Sequence, residues 1–91
     1  MFEKYYFEDV PGLGNVAVSR HAQERAESEG ITPRAFEQAL FSGATIPEGA
    51  DILWRELNGV RLVILTRPEP FRGAALVKTC FRVQEQARAV K

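Results

Sequence analysis

The single histidine of this chain, His21, stands four residues before Arg25 in the run Ser19-Arg20-His21-Ala22-Gln23-Glu24-Arg25. At that spacing an imidazole and a guanidinium project from one face of a helix. An imidazole with an unperturbed pKa near ~6.5 takes or gives a proton at neutral pH. A guanidinium presents a planar fork that holds two oxygens of a phosphate. Metal-free cleavage of a phosphate ester needs a base, an acid and cations on the charge that develops at phosphorus. His21 and Arg25 are candidates for that chemistry. Strand geometry alone adds Arg55, Lys78 and Arg82 as binding cations. The competing reading is an ordinary helix surface. Arg25 is spaced to pair with Glu29 at i, i+4, an interaction of about 0.2–0.5 kcal/mol, and His21 at the second helical position can bond a backbone carbonyl.

The helix that must carry the pair is delimited by its neighbours. Ser19 is a good N-cap, and Gly30-Ile31 supplies a Schellman-type stop. Thr32 caps a second helix with Pro33 at its first position, where a missing N–H costs nothing. Phe36, Ala39 and Leu40 form its apolar stripe, and Gly43 ends it. Ahead of the helices, residues 2–8 are aromatic-rich and read as a strand, Pro11–Asn15 as a loop, and Val16-Ala17-Val18 as a short extended lead. Gly12-Leu13-Gly14 lacks the strand and helix context of a phosphate loop and reads as a turn.

Behind the helices the period changes to two. Residues 52–57 and 60–66 flank Asn58-Gly59, the strongest short-range hairpin signal. A two-residue turn sets Leu57 opposite Val60, Glu56 opposite Arg61, Arg55 opposite Leu62 and Trp54 opposite Val63. Glu56 and Arg61 are then a cross-strand ion pair. Residues 67–73, with two prolines, form a connection. Residues 74–83 read as the last strand, with Val77, Thr79, Phe81 and Val83 on one face and Lys78, Cys80 and Arg82 on the other. The order implies one α+β domain over 1–91: strand and loop at 1–15, helix pair at 16–43, antiparallel sheet at 44–83 and a polar tail at 84–91. The expected architecture is two N-terminal helices packed on an antiparallel sheet of about four strands.

Ninety-one residues support one modest core. The formal net charge is zero, but residues 1–53 carry four Lys/Arg and nine Asp/Glu, and residues 54–91 carry eight and three. A neutral chain is a poor non-specific nucleic-acid binder, yet a basic half can hold a local anion. One cysteine excludes an internal disulfide and fits a reducing, cytoplasmic compartment. One histidine and one cysteine build no zinc site, so neither a metal nor another cofactor is expected. No apolar stretch approaches a membrane span. Tyr5 and Tyr6 belong to an aromatic cluster too dense for one short strand to bury. They and Trp54 are candidate protein contacts, with another protein or in a homodimer.

The motif Ser19-Arg20-His21-Ala22…Arg25, the joint Gly30-Ile31-Thr32, the helix Phe36…Ala39-Leu40…Gly43 and the strand Val77-Lys78-Thr79-Cys80-Phe81 resemble a small bacterial and phage domain family of uncharacterised function. That family is similar to the barnase–EndoU–colicin–RelE ribonucleases, which include toxins of toxin–antitoxin pairs. The resemblance covers about residues 16–83. It implies a RelE/barnase-like fold and an RNA-cleaving site between the first helix and the sheet. His21, Arg25 and Thr79 match the motif as catalytic candidates. RNA and an antitoxin are the partners it implies. The alternative is a non-catalytic module that binds another protein, such as a phage-encoded modulator of a host factor.

Overall fold

The computed structural model describes residues 5–67 and 73–83. The expected strand start at 2–4, most of the proline-containing connection (68–72) and the tail at 84–91 lie outside the described residues. The elements are β1 (Tyr6–Val10), β2 (Gly14–Val18), α1 (Arg20–Ser28), α2 (Pro33–Ser42), β3 (Ala44–Pro47), β4 (Ile52–Leu57), β5 (Val60–Leu65) and β6 (Ala75–Arg82). The strands form one curled six-stranded sheet in the order β1-β2-β6-β5-β4-β3. Every pairing is antiparallel except β2 with β6, which is parallel.

This overturns the expected two N-terminal helices on an antiparallel sheet of about four strands. Two strands precede the helices, and the sheet is mixed. Residues 11–13 are a tight turn, closed by Leu13 N–H donating to Val10 O at 2.9 Å, which folds β1 back on β2. Val16–Val18 is too short to read as a strand alone, but it lies between β1 and β6 and pairs with both. Ala44–Pro47 has no alternation to betray it and is a strand because β4 offers an edge. The helices occupy the crossover from β2 to β3, with α1 alongside β6 and α2 alongside β4 and β5.

Local signals read from sequence explain the helix ends. Ser19 Oγ accepts from Ala22 N–H at 3.0 Å, and Thr32 Oγ1 from Ala35 N–H at 3.1 Å. Gly30 N–H donates to Glu27 O and Ile31 N–H to Ala26 O, the two bonds of a Schellman ending, and Ile31 folds into the core. The β4–β5 hairpin turns on Asn58 (φ 53°) and Gly59 (φ 79°), with the expected register from Ile52↔Leu65 to Leu57↔Val60. One sheet face buries Val16, Val18, Leu62, Ile64 and Val77 against Ala22, Ala26, Phe36, Ala39 and Leu40.

The final strand departs from simple alternation. Val63 pairs with Thr79 while Ile64 pairs with Val77, so Lys78 is an extra, bulged residue. The bulge flips the strand after Val77. Cys80 joins Val77 on the buried face, and Thr79 and Phe81 turn to the opposite one. Its cause is the start of α1: Ser19 N–H donates to Val77 O at 3.1 Å and Ser19 Oγ to Lys78 O at 3.0 Å.

Candidate functional site

The residues proposed for phosphate chemistry do not form one constellation. His21, in the first turn of α1, is exposed and makes no hydrogen bond or ion pair among the described residues. It bonds no backbone carbonyl among them; the nearby carbonyl of Val18 accepts from Gln23 Nε2 at 3.4 Å. Arg25 takes its structural role, pairing with Glu29 at 3.6 Å. Arg82 is committed to the same helix end. Its Nε donates to Glu29 O at 2.9 Å, its Nη2 to Gly30 O at 2.8 Å, and its backbone N–H to Glu29 Oε1 at 3.1 Å. A guanidinium at that position satisfies orphan carbonyls and the negative end of the helix dipole. Lys78 is exposed at the bulge. Thr79 lies on the sheet face away from α1, opposite Val63.

Arg55 is no surface cation. It is 5% exposed, on the core face of β4. Its Nη1 donates to Leu40 O at 2.7 Å and its Nη2 to Pro11 O, while its Nε has no partner. The side chain clasps the β1–β2 turn to the last turn of α2. Burial lowers its pKa from the ordinary value. The pairing with Leu62 placed Arg55 on an apolar face, which was the signal that it points inward.

The residues that do converge are on the other face. Direct pairing lines up Ile46, Trp54, Val63 and Thr79 across β3, β4, β5 and β6. A second row carries Ile52, Leu65 and Leu76 through Ala17 to Tyr6. A third contains Glu56, Arg61 and Phe81. Its charges are matched: Arg61 Nη2 lies 2.8 Å from Glu56 Oε1, and the guanidinium carbon sits 3.9 Å over the Trp54 ring and 5.8 Å from that of Phe81. Apart from Tyr6, which is exposed, these side chains are half-buried. Tyr5 and Tyr6, 59% and 44% exposed, stand at the β1 end. Trp54, Tyr6 and the apolar rows therefore share a sheet face on which the Glu56 and Arg61 charges are paired with each other.

Cys80, fully buried, donates its thiol to Ala22 O at 3.4 Å. Burial, opposed by Arg25 and reinforced by Glu29, pushes its pKa up to about 11, so the thiol is inert at neutral pH. No group of three or more His, Cys, Asp or Glu among the described residues is placed to hold a metal ion. No helix among them is long and apolar enough to cross a membrane.

The site and the fold together define an α+β domain with a curled mixed sheet, one face closed by two helices and the other broadly apolar. No family model, curated protein or solved structure matches the chain.

Proposed function

We propose that this protein is a non-catalytic binding module that takes a protein partner on the sheet face away from its helices. One observation carries the reading: the register lines Tyr6, Trp54, Val63, Leu65 and Leu76 onto one surface, where Glu56 and Arg61 neutralise each other. The solvated face of an antiparallel sheet is ordinarily polar, and contiguous apolar area at a surface marks contact. Aromatic residues and a stacked arginine are the enriched chemistry of interface centres.

A photo-crosslinking residue at position 54 tests this in cells, beside the same residue at Glu37 on the exposed side of α2. A discrete adduct through position 54, lost in Leu65→Glu at unchanged melting temperature, supports the reading. Equal labelling through both positions, or none through 54, refutes it.

A second reading is RelE-like, metal-independent RNA cleavage, which the motif Ser19-Arg20-His21-Ala22…Arg25 favours and the pairing of Arg25 with Glu29 opposes. Expression of the wild type would then arrest growth with RNA fragmentation, and His21→Ala would relieve both. Intact RNA in both strains leaves the binding module.

A further inference from the structure

A groove of about 650 Å³ opens where β1, β2 and β6 meet the start of α1. It is lined by Tyr5, Tyr6, Ala17 and Leu76, with Ser19 and Arg20 on the helix side. Its size falls in the range of about 300–1,000 Å³ found for ligand sites. Tyr5 and Tyr6 are the two exposed large hydrophobic residues among those described, and both line this one groove. The groove lies beside β1, which among the described residues pairs with β2 alone and forms a sheet edge. Tyr5 is held in place by its backbone, since its carbonyl accepts from Val18 N–H at 2.8 Å.

Among the described residues the lining holds one charged side chain, Arg20, and no acidic one. Arg20 has a side chain 88% exposed, and its one ion-pair contact is Glu24 at 4.0 Å, a pair loose enough to yield to another anion. The positive end of the α1 dipole points the same way.

We infer that this groove receives an acidic, extended segment of the partner protein, with a large apolar side chain seated between Tyr6 and Leu76 and a neighbouring carboxylate on Arg20. The inference rests on the binding-module reading and names the chemistry of the partner. A tyrosine-lined cleft suits an apolar anchor, because tyrosine gives large contact area with few rotors to immobilise. The loosely paired Arg20 selects acidic flanks over basic ones.

The probes are two blocked pentapeptides, acetyl-Asp-Glu-Phe-Asp-Glu-amide and its counterpart with lysine at all four acidic positions. Titrated into the full chain labelled with nitrogen-15, the acidic peptide should shift the amides of Tyr6, Ala17, Arg20 and Leu76, and the lysine peptide should not. Arg20→Glu should weaken binding at least ~10-fold, the effect of reversing one charge at a contact. Its exposure means that the fold survives, and an unchanged melting temperature checks this. Unmoved groove amides, equal shifts with both peptides, or full affinity in Arg20→Glu would overturn the inference. A silent groove with a specific crosslink through position 54 overturns the groove and leaves the docking face standing. A responsive groove with no such crosslink overturns the face instead.

Discussion

Replacing Arg55 tests whether a buried, unpaired cation holds this fold together. Arg55→Ala removes two hydrogen bonds, to Leu40 O and Pro11 O, from a residue 5% exposed. Hydrogen bonds to charged groups contribute about 1.5–3 kcal/mol each, so the gross loss is about 3–6 kcal/mol. Part of that is returned, because the variant no longer buries a charge or leaves Nε without a partner. The truncation adds a cavity, which acts against stability again. We expect a net loss of about 3 kcal/mol. For a 91-residue chain this is a fall in melting temperature of about 15 °C, at about 4–8 °C per kcal/mol. Arg55→Met separates the contributions: it refills the space and removes the charge but leaves both carbonyls without their donors. It should fall between Ala and the wild type in urea unfolding followed by circular dichroism. A loss under about 1 kcal/mol for Ala, or a Met variant more stable than the wild type, would show that the clasp opposes stability.

Other positions are equally open to test. Gly12→Ala should destabilise more than Gly59→Ala in thermal melts. Both positions have φ near 80°, but an added Cβ at Gly12 stands 3.0 Å from the held Arg55 Nη2, whereas at Gly59 the nearest atom is 3.9 Å away. The arginine over Gly12 is a tertiary contact that turn chemistry does not show. Glu56→Gln should cost about 1–2 kcal/mol in urea unfolding, since the pair is mostly buried and Arg61 keeps its place on Trp54. A cost near zero would make the pair ornamental. Cys80 should resist iodoacetamide at pH 8 until the chain unfolds. Because its folded pKa lies above the unfolded one, the stability it contributes is complete below about pH 9 and is lost as the pH rises toward about 11. Cys80→Ala should show a shallower decline over that window in chemical denaturation, and parallel curves would contradict the assignment.

The legible parts of the fold were those written in local chemistry. Both helix caps, the Schellman ending at Gly30-Ile31 and the Asn58-Gly59 hairpin with its Glu56–Arg61 pair depend on residues a few positions apart. Each needs only propensity, a side-chain acceptor or a positive φ, and these travel with the sequence. The strand β3 was not legible, and β2 only as a short extended lead at 16–18, because four or five residues become a strand only when another strand's edge supplies hydrogen bonds. For the candidate site, the i, i+4 spacings of His21 with Arg25 and of Arg25 with Glu29 were both visible, and the structure decided for the pair with Glu29. Placing Tyr6 and Trp54 on one face, with β2, β6 and β5 between them, required strands distant in the chain to share a sheet.

From its residue order alone this chain specifies two capped helices and one register-locked hairpin, because each is decided by neighbours in sequence. The tertiary structure decided which way the last strand points after Val77. There, two hydrogen bonds from Ser19, 58 and 59 residues away, force Lys78 out of the ladder and turn Thr79 and Phe81 to the far face. A bulge depends on what docks against it, and no period within the strand encodes that.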